Sequence, residues 1–591
     1  MRQVLSFERT SPEPGPDADA VGHEFVTTVE VDDPAGATLE IGGIATVWDV
    51  LVNGSVVASG ASMFERRSVD VAPALVAGAN EVRVVVHPLT DLLDAAPRKP
   101  RARWRTMVVD EPRLRWARTQ VLGRAPGFAP GPPMVGPYRP MVLATGPAPA
   151  RPGRDGTWWP HTHGPAAPTG RRTVENRSPD SLDLWVNGER VFVRGAVWTP
   201  GDLDALDTAV GLGFNLVRVS GIAAYESDEF YDRCDELGLM VWQDLMFATL
   251  DYPLSDDGFR AVVEAEVRDH LARLAEHPCV VVVCGSAEHE QQAAMFGVGP
   301  ATGYAGELAA FLRPLVEKSG IDAVWVDSSP SGGDPVTRVD TGIAQYFGVG
   351  AYLRDLPDAR HSGVRFAAEC LAFANLPDPV GPDDAVGVPQ DNGADWDFAD
   401  VREHYARQRY GAEATLAERQ RVTGEVMADV FGDWRRPDSG CGGGIVLWLR
   451  DLEPGAGWGL LDHTGAPKPA ALALAPTLQP TAVWFVDEGL NGLDVHVAHD
   501  PAEPAEMTLV VELLRADGSV IESAEESWSM EPHGHRRRTV DAMLGRFADS
   551  AYAYRFGPPP HAAVRAHLTS VSGLDRETTW HVPRVGVTRE E

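Results

Sequence analysis

Eight short apolar runs recur between helical patterns, at residues 191–194, 215–219, 239–242, 280–284, 323–326, 342–346, 365–369 and 445–448. No other feature of the chain narrows its fold as much. The runs are apolar throughout instead of alternating, as parallel strands covered on both faces are. Helical periodicity fills the gaps, for example at 226–237 and 259–276. Eight β/α units of this total length predict a TIM barrel over residues 185–476.

The flanks have a different texture. Residues 21–145 alternate apolar and polar, as in Glu24-Phe25-Val26-Thr27-Thr28-Val29-Glu30-Val31. Asn53-Gly54 between two apolar runs is a hairpin signal, because both residues tolerate positive φ. A jelly-roll β domain over 1–145 fits. Residues 146–184 are rich in Pro, Gly and Arg and read as linker. His161-Thr162-His163 lies there without a third metal ligand at motif spacing and is expected to be surface loop. Alternation returns over 477–591, which predicts an Ig-like β-sandwich. The expected fold is therefore multidomain α/β and all-β, a (β/α)8 TIM barrel between two β domains.

Composition excludes some partners. A net charge of −33 over 591 residues argues against nucleic acid and an anionic membrane as partners, since both need a basic face. No run is apolar for the ~18 residues a membrane helix needs, and the first twenty residues lack a signal-peptide core. The cysteines are Cys234, Cys279, Cys284, Cys370 and Cys441, an odd set with no CxxC pair. Neither a disulfide framework nor a zinc ribbon is expected, and the expected compartment is the cytoplasm. A Cys hydrolase built on Cys284 or Cys370 is disfavoured, since neither has a His base at motif spacing.

The chemistry centres on residues 280–290, VVVVCGSAEHE, where a β-branched run ends in small residues and a carboxylate. Residues just past strand C-termini line TIM-barrel active sites. Glu288 follows the fourth run and Glu369 ends the seventh. Two carboxyls at one barrel mouth suit glycoside hydrolysis, one donating a proton to the leaving oxygen and the other ionised. Their separation decides between retention and inversion, and either Glu read alone is equally a helix cap.

Residues 187–475 resemble the catalytic barrel of glycoside hydrolase family 2, nearest its β-mannosidase branch. The resemblance rests on Asn187-Gly188-Glu189-Arg190-Val191-Phe192-Val193-Arg194-Gly195-Ala196, on residues 225–244 (YESDEFYDRCDELGLMVWQD), on His277-Pro278, and on Trp458-Gly459 with Asp462 and Lys468-Pro469. Trp48-Asp49-Val50-Leu51-Val52-Asn53-Gly54 and Met63-Phe64 extend it to the family's sugar-binding-like β domain. It implies that Glu288 is the acid/base and Glu369 the nucleophile. It further implies that Arg218 and Tyr346 donate to Glu369, and that Trp448 and Trp198 form walls under the sugar. The implied activity is a retaining exo-β-glycosidase on a β-linked oligosaccharide or glycoside, with no metal or organic cofactor.

Four features depart from that family's pattern. Residues 146–184 are too few for the central Ig-like domain of about 100 residues. Ala287 stands where Asn is usual before the acid/base. Ser220 stands where a Trp follows Arg-Val. Gly127 falls where a sugar-gripping Asp is expected. These departures favour an altered sugar preference. They also keep open a non-catalytic carbohydrate-binding or scaffold protein with a degenerate site.

Overall fold

The computed structural model describes residues 2–11, 15, 17–129, 131–146, 155–299, 306–381, 389 and 396–582. Eight parallel strands curl into one sheet. In chain order they are Val193–Trp198, Leu216–Val219, Met240–Asp244, Val280–Cys284, Val324–Val326, Ala344–Tyr346, Ala367–Cys370 and Gly443–Val446. Each expected run maps onto one of them. Strands one and eight pair directly, Gly195 opposite Ile445, so the sheet closes on itself there. Strands five and six share no ladder; a bridge between Ser331 and Ile343 spans that side. The barrel is TIM-like with one irregular seam.

The strands are buried on both faces, which is why they read as unbroken apolar runs: Val280, Val281, Val282 and Val283 are all fully buried. Helices cover the outside, among them Asp204–Leu212, Asp228–Leu237 and Asp257–Leu274. Gly213 and Gly238 end the first two in the left-handed conformation, where a Cβ would be strained. Leu416–Trp434 begins with a capping box between Thr415 and Glu418.

Two antiparallel sheets of four and five strands precede the barrel and enclose a core of Leu39, Ile41, Val50 and Val84. The Asn53-Gly54 hairpin forms as expected, joining Val47–Val52 to Ser55–Gly60 with φ of 48° and 81° at the turn. Two further antiparallel sheets, of three and four strands, follow the barrel from Thr481–Asp487 onward. Of the expected linker 146–184, residues 147–154 lie outside the described residues. The rest carries one short strand, Val174–Asn176, which joins Leu184–Val186 and Glu189–Arg190 in a small antiparallel sheet.

The His161-Thr162-His163 expectation needs correction. His163 is buried, and its ring contacts the Arg190 carbonyl at 3.1 Å, while His161 Nε2 meets the Phe214 carbonyl at 2.9 Å. Both rings serve backbone packing beneath the barrel, and burial pushes His161 down to about 4. The segment reads as surface because Pro and Gly dominate it, yet it packs on the backbone that leads into strands one, two and three. All five cysteines are buried and unpaired.

The C-terminal sheets are tied to the barrel by a charge cluster. Arg194, fully buried, donates to Asp500 at 2.6 Å, and Arg435 donates to the same carboxylate at 3.1 Å. Burial opposes its ionisation, but Arg435 and Arg194 hold the Asp500 carboxyl well below the usual range. Its stabilisation is therefore present above the ordinary carboxylate pKa and lost as pH falls below it. Asp500→Ala leaves two guanidiniums without their anion and is expected to cost about 3 kcal/mol, read as a lowered melting temperature at neutral pH. The difference from wild type should shrink in acid.

Candidate active site

Strand ends deliver the site. After strand four, the backbone N–H of Ala287 donates to the Phe247 carbonyl at 2.9 Å and that of Glu288 to the Ser329 carbonyl at 2.8 Å. The turn is thus clamped between the loops that follow strands three and five. Glu288 sits at the N-cap of His289–Met295 with φ 59°, a conformation a non-glycine residue adopts only at a cost. Its side chain makes no capping hydrogen bond. A residue needed only as a cap would use its carboxylate on the helix N–H groups, and Glu288 does not. Glu290 lies in the first turn of that helix, and burial followed by Asp327 pushes it up to about 7.

Glu369 is in strand seven and 5% exposed. Arg218, in strand two and fully buried, donates to its Oε1 at 2.9 Å. Arg218 in turn is held by Asp244 at the end of strand three, with contacts of 3.3 and 2.6 Å. Asp244 also accepts from the Gly221 N–H at 3.0 Å and the Trp242 indole at 2.7 Å. One guanidinium therefore bridges two buried carboxylates and is fixed from behind. Burial lifts Glu369 to about 7; Arg218 pulls it down, and Glu288 and Asp244 push it up.

The carboxylates line one cavity. It holds about 380 Å³ free of protein atoms, part of it open to solvent, and its enclosed centre has room for about one water molecule. Trp448 and Leu447 form its floor from the segment following strand eight, and Val197, Ser220, Ile222, Thr249 and Ala287 complete the barrel side. The outer wall comes from the N-terminal part of the chain, through Val108, Val121 and Phe128. That covering segment is anchored: the Ile222 carbonyl accepts from Val121 and Leu122, Trp458 donates to the Phe128 carbonyl at 2.8 Å, and Trp104 donates to that of Thr249 at 3.0 Å. Arg118 pairs with Glu266 through two contacts of 2.9 and 2.6 Å, both side chains buried.

Two expected site residues are placed elsewhere. Tyr346 was expected to donate to Glu369; its hydroxyl instead donates to Asp358 at 2.8 Å, and its ring packs on Trp434. The donor to Glu369 is its neighbour Gln345, at 3.3 Å from Oε2. Side chains alternate along a strand, so a shift of one residue exchanges the inside for the outside. The same parity turns Trp198 away from the cavity, where its indole donates to Glu226 at 2.8 Å and its ring meets Phe230, while Val197 lines the cavity. Asp244 and Gln345 carried no assignment from sequence. A polar residue closing an apolar strand was the available signal for both.

Residues 21–139 match the family model described as the glycosyl hydrolase 2 galactose-binding domain-like domain. A β-mannosidase B from Aspergillus clavatus is 24% identical over 510 residues, covering 72% of this chain and 59% of that protein. A β-mannosidase from Rattus norvegicus is 37% identical over 172 residues, 23% of this chain and 19% of that protein. Among solved structures, the β-D-mannosidase from Dictyoglomus thermophilum superposes with a TM-score of 0.78 at 16% identity, covering 99% of this chain and 89% of that one. Residues 21–139 thus carry a glycosyl hydrolase 2 type domain, and the chain is similar to β-mannosidases in sequence and fold. The matches span 59% and 19% of the length of these two curated relatives. An exo-chitosanase from Amycolatopsis orientalis shares the fold, with a TM-score of 0.66 at 14% identity, covering 96% of this chain and 77% of that one.

The geometry of the site makes a pH prediction. Burial and the neighbouring carboxyls oppose full ionisation of the group, so turnover that needs the Glu369 carboxylate should fall on the acid side as the group takes up a further proton. Arg218→Met removes the charge that favours ionisation. The acid limb should then move upward by one unit or more in the pH profile of kcat/KM.

Proposed function

We propose that the chain is a retaining exo-β-glycosidase that releases a terminal β-linked sugar, with β-mannosidase-like character. The observation that carries this reading is the Arg218–Glu369 contact of 2.9 Å inside the cavity that Glu288 also lines. Glu369 and Asp244 share the Arg218 guanidinium, and Glu288 lines the same cavity as Glu369, so full ionisation of the three carboxyls is disfavoured and one proton stays with the group. Arg218 and Gln345 donate to Glu369, which favours the carboxylate there and places the proton on Glu288.

In the reaction, Glu369 attacks the anomeric carbon as Glu288 gives its proton to the glycosidic oxygen. The aglycone leaves as an alcohol, and a covalent glycosyl ester remains on Glu369. Glu288, now ionised, takes a proton from water. That water attacks the anomeric carbon and frees the Glu369 carboxylate, with net retention. Asp244 acts through Arg218 as a positioning residue. The covering segment blocks one end of the cavity, which supports removal of a terminal unit over cleavage within a chain. The names of the relatives support mannose as the first sugar to try.

A second reading, a carbohydrate-binding protein with an idle site, draws on the apolar lining and on Ala287. Incubation with 2-deoxy-2-fluoro glycosyl fluorides of several sugars separates the two. The enzyme should gain one glycosyl mass on the peptide containing Glu369. Absence of any adduct, with ligand binding retained, would establish the second reading.

A further inference from the structure

The cavity has few groups with which to recognise sugar hydroxyls. Among the described residues lining it, the polar groups are the side chains of Glu288, Glu369, Ser220 and Thr249 and the indole N–H of Trp448. The two carboxylates are committed to the reacting atoms, and Gln345 already occupies Glu369 Oε2. Ser220 and Thr249 are each 2% exposed, and neither hydroxyl has a hydrogen-bond partner among the described residues. A buried hydroxyl without a partner is costly, so both are poised for a ligand. The rest of the wall is apolar: Ala287, Val197, Ile222 and Leu447, the ring carbons of the Trp448 floor, and the covering segment.

A hexopyranose carries hydroxyls at C2, C3, C4 and C6. Each one turned toward an apolar wall loses its water and gains nothing in return. A ring with C–H or methyl groups at those positions buries apolar surface instead. We propose that the cavity takes the β-glycoside of a deoxygenated sugar, whose remaining hydroxyls pair with Ser220 and Thr249. The inference rests on the glycosidase reading above and specifies its substrate class.

The test uses the full chain and 4-nitrophenyl β-glycosides of D-mannose and D-glucose, beside their 2-deoxy, 6-deoxy and 2,6-dideoxy counterparts. Each kcat/KM is divided by the spontaneous hydrolysis rate of that glycoside, because removal of the 2-hydroxyl speeds hydrolysis in water. At least one deoxy member should exceed its parent by about 10-fold or more, the discrimination expected when polar groups lose their partners. On that substrate Ser220→Ala and Thr249→Val should each cost about 10-fold, mainly in KM. Each loss should vanish on the analogue lacking the hydroxyl that residue reads, which a merely structural role would not produce. A parent hexoside that outpaces every deoxy counterpart overturns the substrate class and leaves the glycosidase standing. No turnover of any member, with no adduct on Glu369, overturns both.

Discussion

Glu369→Gln is expected to lower kcat/KM by about 10^4-fold on every glycoside the wild type hydrolyses. The substitution keeps size and shape, and its amide still offers an oxygen to Arg218, now fully buried as in wild type. It removes the nucleophile. It also removes one of the carboxylates facing Arg218, so the folded state should lose little stability and gain some where burial penalises the charge. Kinetics on an aryl glycoside panel, with melting curves alongside, check the prediction. Unchanged turnover by a folded variant would sink the nucleophile assignment.

Glu288→Ala should behave differently, because the need for an acid depends on the leaving group. For an alkyl or sugar aglycone, loss of general acid catalysis should cost about 10^3-fold. For 2,4-dinitrophenol, which leaves without a proton, formation of the glycosyl-enzyme should be nearly unaffected, and its breakdown should become slow. A burst of one dinitrophenolate per chain, followed by a low steady rate, is the expected trace. Added azide should raise that steady rate and yield a β-glycosyl azide, since a small anion fits where the carboxylate stood and needs no base. Equal losses on all leaving groups would assign Glu288 a structural role at its left-handed turn.

Much of the fold was legible because the physics that buries a strand also writes its sequence. A parallel strand covered on both sides must be apolar at every position, so Val280–Cys284 announces itself and its seven companions do likewise. That same property erases the parity of the strand. Ala344–Tyr346 offers three residues and no alternation, so nothing in it distinguishes Gln345 as inward from Tyr346 as outward. Val197 and Trp198 present the same ambiguity, and size favoured the wrong one. A charged residue ending a strand usually faces water, so Asp244 does not stand out in the sequence; here it is fully buried behind Arg218. The covering segment is placed at the pocket only by the resemblance around Gly127 and Phe128, and its own pattern does not show it. It is irregular, rich in Pro, Gly and Arg, and held by backbone carbonyls and the Arg118–Glu266 pair, and such contacts have no periodicity to read.

That segment also bears on how such a chain changes over generations. Val108, Val121 and Phe128 touch the cavity through the same short stretch that docks the leading β sheets onto the barrel. A substitution there that admits a new substrate also alters the seating of one module on the next. Selection on diet and selection on assembly therefore act on the same side chains. Exchange of the leading module between relatives would carry a piece of the recognition surface with it, and chimeras cut between the two should inherit the tastes of both parents.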